Sequence, residues 1–251
     1  MEKKKYPWTR QRLISAVILF TFLLFPVVIN FLSPYIIIDG AFQGIITGSF
    51  ILFVLLFISS LFLGRLWYSW VCPAAELQEA FFAANNKPVK GKRIDWIKWV
   101  IWVLWIEVIV LGVITAGGLT KIAPLHLTES GISVDEPGKY MIFYIVIGSV
   151  FCLAVFFGRR TFFHTMWWMS PFMIIGRKIS NLFNLPRLRL IADQEKCINC
   201  KKCTQVCTMS LDVNGMVQSG NMENTEYILC GNGIDACPEE VIHYTFKPKL
   251  N

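Results

Sequence analysis

The residues best equipped for chemistry are six cysteines in the last fifth of the chain: Cys197, Cys200, Cys203, Cys207, Cys230 and Cys237. The first four follow the spacing C-x2-C-x2-C-x3-C, which wraps thiolates around an iron–sulfur cube. Two-residue gaps let the backbone turn about one cluster corner at a time while its N–H groups face the sulfides. A tetrahedral zinc site needs only two such pairs, and disulfide frameworks belong to oxidising compartments, so both are weaker readings of this run.

A second run reads Tyr227-Ile228-Leu229-Cys230-Gly231-Asn232-Gly233-Ile234-Asp235-Ala236-Cys237-Pro238. Its spacing repeats the first run, but Tyr227 and Gly233 stand where the first and third thiols belong. In two-cluster ferredoxins the fourth cysteine of each run ligates the other cluster. Crossed ligation collects Cys197, Cys200, Cys203 and Cys237 at one site, a complete ligand set for one 4Fe-4S cluster. The other site collects Cys207 and Cys230 with Tyr227 and Gly233, the remnant of a second cluster site with two thiols. One cluster rather than two is expected.

The elements that must position these thiols lie in a different solvent. Of 251 residues, 55% are hydrophobic and 16% charged, and the apolar residues fall in blocks near the ~20 residues that cross ~30 Å of hydrocarbon as a helix. Residues 13–32, 43–63, 96–116 and 140–157 are the expected spans, with a kink at Pro26 in the first. Lipid requires each span to satisfy its own backbone polar groups, and no alternating pattern points to a barrel. The run from Phe162 to Ile175 is too short to span and is broken by Pro171, so an interfacial or re-entrant segment is expected. The fold class is therefore an all-α transmembrane bundle of four helices over residues 1–185, with cytoplasmic interfacial segments. A small α+β domain like a bacterial ferredoxin follows over residues 186–251.

Basic residues set the orientation. Lys3, Lys4, Lys5, Arg10 and Arg12 precede the first span; Arg65, Lys87, Lys90, Lys92 and Arg93 follow the second; Arg159, Arg160, Arg177 and Lys178 follow the fourth. The intervening loops offer Asp39, then Lys121 and Lys139 offset by Glu129, Asp135 and Glu136. Both termini and the cysteine-rich region are thereby expected on the cytoplasmic side of a multi-pass cell membrane protein. The net charge of +7 is topological, and no nucleic-acid partner is implied. The first apolar block reads as a retained anchor, because it lacks a small-residue cleavage site.

Several other residues carry weaker signals. Gly40, Gly44 and Gly48 recur every four residues, a spacing suited to close helix packing. Glu107 lies midway along the third span and is expected inside the bundle as a protonated structural acid, or less favourably as a proton carrier. His126 and His164 each stand alone in sequence and read as surface or interfacial packing residues. Cys152 reads as a small core hydrophobe. Trp67, Trp70, Trp167 and Trp168 read as an interfacial aromatic belt.

Over nearly its whole length the chain resembles the membrane-bound 4Fe-4S polyferredoxins of the NapH/MauN type. The resemblance rests on Gly64-Arg65-Leu66-Trp67 leading into Trp70-Val71-Cys72-Pro73, on Gly158-Arg159-Arg160 leading into Trp168-Met169-Ser170-Pro171 and Gly176-Arg177-Lys178, and on the cysteine-rich tail. It implies cysteine motifs at the cytoplasmic membrane face that pass electrons between quinol and the clusters. Those motifs are depleted here. The family's cysteine positions correspond to Tyr68, Phe163 and Trp167, leaving Cys72 as the remnant of the membrane-face motif. A quinone is compatible with the resemblance, but no specific residue marks a site for one.

The expected function is one-electron transfer between the membrane and redox partner proteins, with no substrate chemistry and so no catalytic residue. The rival is a membrane scaffold or assembly factor derived from such carriers. In right-side-out vesicles, protease should cut the 117–139 loop and spare the tail after Arg177, and inverted vesicles should reverse that pattern. Labelling of the tail from outside overturns the orientation.

Overall fold

Proline divides the first apolar block. The computed structural model describes residues 10–74, 85–89, 94–128, 131–134, 136–158 and 160–248. Lys3, Lys4, Lys5, Lys90, Lys92, Arg93, Glu129, Asp135 and Arg159 lie outside the described residues. Helix α1 spans Arg10–Leu23, and α2 spans Phe25–Val28 before a 3-10 turn at Ile29–Leu32. The two segments meet at 59°, because Pro26 supplies no N–H to continue the helical ladder.

The second apolar block is interrupted earlier than its hydropathy implies. Helix α3 (Pro34–Phe42) gives way to a short strand, β1 (Ile45–Thr47), before α4 (Gly48–Leu63). Strand β1 pairs in parallel with β2 (Lys121–Ala123), so Ile45 faces Lys121 in the register and Thr47 faces Ala123. The Thr47 hydroxyl caps α4 by accepting from the Phe50 N–H at 3.2 Å. Gly40, Gly44 and Gly48 consequently lie in three different places and form no single helix face. Sixteen residues at ~1.5 Å rise reach ~24 Å, short of a full hydrocarbon crossing.

Helix α5 is one turn (Trp67–Trp70), α6 spans Ile97–Thr115 and α7 spans Pro137–Phe157. By length and composition, α6 and α7 can each cross a membrane, and the bent α1–α2 pair makes a third candidate if it counts as one span. The expected second span, 43–63, is the shortened α4. Glu107 faces outward from α6, and Cys152 is exposed on α7. The exposure of both residues corrects their expected interior placement.

The Phe162–Ile175 run is internal. Helix α8 (Thr161–Thr165) is buried along its whole length, and α9 (Ser170–Leu182) lies against α4. A β-carbon on Gly176 would sit 1.9 Å from Ser60 Oγ and 3.1 Å from the Phe57 carbonyl oxygen, so this crossing depends on the missing side chain. Phe53 of α4, Trp105 of α6 and Phe172 of α9 pack with centroids 5.5–5.8 Å apart, and their rings tie the three helices together.

The C-terminal segment adds strands β3 (Arg187–Ala192) and β4 (Ile242–Lys247), paired antiparallel from Arg187↔Lys247 to Ala192↔Ile242. Between them lie three short helices: α10 (Lys202–Gln205), α11 (Val213–Gln218) and α12 (Asn232–Asp235). Gly176→Leu should lower stability by about 1–3 kcal/mol, the usual scale of core overpacking. Thermal unfolding checks this, with Gly148→Leu as a near-neutral control, since nothing lies within 4 Å of a β-carbon there.

Candidate metal centre

The two cysteine runs fold as a thirty-residue repeat. Asn199, Lys201 and Ser210 adopt positive φ, as do Leu229, Gly231 and Glu240 thirty positions later. Left-handed conformations cost about 1–2 kcal/mol for most residues. They persist here at matching positions because each turns the backbone around a cysteine. The repeat extends to the thiols: Cys207 Sγ accepts from the Leu211 N–H, and Cys237 Sγ from the Val241 N–H, both at 3.4 Å.

Two neighbouring cavities result. Cys197, Cys200, Cys203 and Cys237 line one, with Val217, Val241 and Ile242 as apolar walls. Cys207 and Cys230 line the other with Tyr227 and Gly233, and Cys203 borders both. The first cavity suits an iron–sulfur cube in its donor set, because four soft thiols surround one space. It suits a cube in its backbone too, since the left-handed residues on either side of Cys200 build the N–H concavity that such sites use.

The thiols differ in exposure. Cys200 is exposed, Cys197, Cys203 and Cys237 are half-buried, and Cys207 and Cys230 are buried. Burial pushes the Cys203 thiol up, and nearby Cys237 adds to the shift. Burial drives Cys207 to about 11 against the Leu211 N–H, with Cys230 contributing. Metal binding at such thiols must therefore release protons. The second cavity also pushes the Tyr227 hydroxyl well above its ordinary range, chiefly through burial and then through Cys230 and Cys207.

The positions where the family resemblance places further cysteines also converge. The Tyr68 and Phe163 rings are 5.4 Å apart, Phe163 and Trp167 5.1 Å, and Tyr68 and Trp167 6.4 Å. Cys72 is fully buried beside them. Trp167 is buried and stacks on Trp168, Trp168 Nε1 donates to the Leu32 carbonyl, and Trp70 Nε1 donates to the Leu229 carbonyl, so these three rings are tied into the protein.

A buried charge network joins these regions; in the sequence Arg65 reads as topological charge and His164 as a solitary residue, and Asp95, Lys98 and Glu226 carry no signal of their own. Arg65 Nη1 lies 2.9 Å from Glu226 and 2.8 Å from the Thr225 carbonyl, and Lys98 Nζ lies 2.6 Å from Glu226. His164 is fully buried with Nδ1 2.7 Å from Asp95, and His126 Nε2 lies 2.6 Å from Asp39, so neither histidine is solitary. Asp95, His164 and Glu226 bring ligand atoms within 4.8 Å of one another, a separation a metal ion could bridge. The Lys98 ammonium already occupies the electrostatic role of a cation there, 3.5 Å from Asp95 and 2.6 Å from Glu226. The recurring Gly-Arg pairs, Gly64-Arg65 and Gly176-Arg177, were the available sequence signal for this network.

Comparison with known proteins matches residues 45–93 to a family model described as a 4Fe-4S binding domain. That match covers Tyr68 and Cys72 and stops short of the six C-terminal cysteines. A candidate electron transport protein of Escherichia coli, YccM, is 22% identical over 81% of this chain, which spans 57% of that relative's length. Two uncharacterized proteins of Methanocaldococcus jannaschii are 20% and 21% identical over 77% and 87% of the chain, each across 77% of the relative. These matches support an iron–sulfur electron-transfer family. No solved structure matches the chain.

Acid should dismantle the charge network. Burial opposes ionisation of Glu223 and Glu226, yet Arg177, Arg187 and Arg189 hold Glu223 at about 2, and Arg65 and Lys98 hold Glu226 at about 2. The unfolded chain, with carboxyls near 4.5, binds more protons in this window. Stability is therefore full above pH 4.5 and falls as pH drops toward 2. Thermal unfolding across that window should show the decline, and Glu223→Gln should start lower at neutral pH and fall less steeply.

Proposed function

We propose that this protein is a membrane-anchored one-electron carrier of the NapH/MauN type, holding a single 4Fe-4S cluster on Cys197, Cys200, Cys203 and Cys237. The observation that carries this reading is the convergence of those four thiols on one cavity, although Cys237 is far from the others in sequence. A cube bound there supplies reversible one-electron redox chemistry. The chain's own residues hold it and tune it. Val217, Val241 and Ile242 keep water from its inner side, while exposed Cys200 and Ile198 leave an outer edge where a partner can approach.

Residues 1–185 serve as the anchor and residues 186–251 as a ferredoxin-like unit on the cytoplasmic face. Electrons pass between the quinone pool or a membrane redox partner and a cytoplasmic partner protein. Cys72, with Tyr68, Phe163 and Trp167 around it, offers too few thiols for a second cluster. Cys207 and Cys230 are likewise a remnant pair.

Anaerobically purified protein should contain about four iron atoms per chain, as one cube requires. Its visible thiolate-to-iron absorbance should bleach with dithionite. Cys237→Ala should abolish the native spectrum, whereas Cys72→Ser and Cys207→Ser should retain both iron and spectrum. Iron near eight per chain, or a full spectrum in Cys237→Ala, overturns the ligand assignment. A colourless, iron-free protein points instead to a scaffold.

A further inference from the structure

Four arginines line one small cavity between the helices and the C-terminal strands. Arg65 comes from the turn after α4, Arg177 from α9, and Arg187 and Arg189 from β3; Gly64, Glu223, Leu190, Met222, Tyr227 and Leu229 complete the lining. Each arginine side chain is at most 8% exposed, so water screens these charges poorly.

Their charges are not balanced. Arg177, Arg187 and Arg189 all converge on Glu223, at 2.5, 2.6 and 2.5 Å. Arg65 shares Glu226 with Lys98, and Lys98 reaches Asp95. Five cations thus face three carboxylates among the described residues of this network. Carbonyls offset part of the difference: Arg177 donates to Asn224, Arg65 to Thr225 and Arg189 Nε to Lys247. Dipoles of this kind bring no net negative charge. Burial, with Arg177 beside it, depresses the Arg187 guanidinium to about 10, in keeping with a surplus of positive charge.

Two donors are also left over. Arg65 Nε and Arg189 Nη2 are buried and have no hydrogen-bond partner among the described residues. Both arginines line this cavity, whose free volume of about 10 Å³ leaves room for a single small species. Burying an uncompensated charge or an unused charged donor is costly, and one small anion would remedy both.

We propose that this cavity is a binding site for a monatomic inorganic anion of chloride or bromide size, held by Arg65 Nε and Arg189 Nη2. A water molecule would fill the space and accept from the donors but would leave the charge surplus. Phosphate, sulfate and a lipid headgroup are too large for it.

The test uses the full chain, purified anaerobically in detergent, with bromide titrated against methanesulfonate at constant ionic strength. Bromide should raise the melting temperature saturably, by about 2–4 °C for a chain of this size. Sulfate, or nanodiscs of phosphatidylglycerol in place of phosphatidylcholine, should not. A bromide-soaked crystal should give an anomalous peak within hydrogen-bond distance of both arginines. Asn181→Asp supplies the discriminating variant, because Asn181 Oδ1 accepts from Arg189 Nη1 at 2.8 Å and from Arg187 Nη2 at 3.2 Å. The new carboxylate should stabilise the protein in methanesulfonate and remove its response to bromide. Equal melting temperatures in bromide and methanesulfonate would indicate water alone and overturn the proposal. An equal response to sulfate or to anionic lipid, or an undiminished bromide response in Asn181→Asp, would overturn it too.

Discussion

Glu226 sits between two fully buried cations, Arg65 and Lys98, and most of the molecule's arrangement depends on that contact. The two cations come from elements distant in sequence, the turn after α4 and the first turn of α6, while the carboxylate belongs to the loop leading into Cys230. Removing any one member would leave a charge in a medium that cannot solvate it, so the three positions are strongly coupled. Neighbouring contacts share this register. Ser69 donates to the Ile228 carbonyl at 2.7 Å, and Trp70 Nε1 donates to the Leu229 carbonyl. The cysteine-bearing segment is consequently fixed directly against α5, and Arg10 and Gln11 at the start of α1 hold Asp235 on its other side.

The surroundings of Cys72 and of the Cys207–Cys230 pair are filled in different ways. Around Cys72 the space is filled by the Tyr68, Phe163 and Trp167 rings, which contact one another as aromatic groups do in any close-packed core. Three aromatic residues far apart in sequence therefore form one packed cluster. At the other constellation only Tyr227 is large, Gly233 adds no side chain, and the Cys207 and Cys230 thiols still face the cavity. The surroundings of Cys72 are packed core, while Cys207 and Cys230 line a cavity.

The helical region follows the opposite rule from its charged junction. Apart from Glu107, outward residues of α6 and α7 such as Leu104, Leu111, Ile142 and Ile145 are apolar and exposed. Hydrocarbon would satisfy these faces where water would not. Polar side chains are gathered inward at the junction instead, where they pair with one another.

Local spacing sufficed for much of the chemistry. Cysteine runs, their thirty-residue repeat and the missing third and first thiols are readable because backbone turns around a metal cluster operate over two or three residues. Long apolar blocks and the kink at Pro26 are readable for the same reason, since hydropathy and a missing N–H are properties of short segments. Sequence could not show that 43–63 surrenders its first residues to a strand, because that strand exists only through its pairing with residues 121–123. Nor could it show that Arg65, His164, Arg177 and Arg187 are buried, since a charge flanking an apolar block looks alike whether it meets water or a partner carboxylate. Partnership among residues as far apart as Arg65 and Glu226 is decided by tertiary contact, and burial magnifies its consequences because the interior screens charge so weakly.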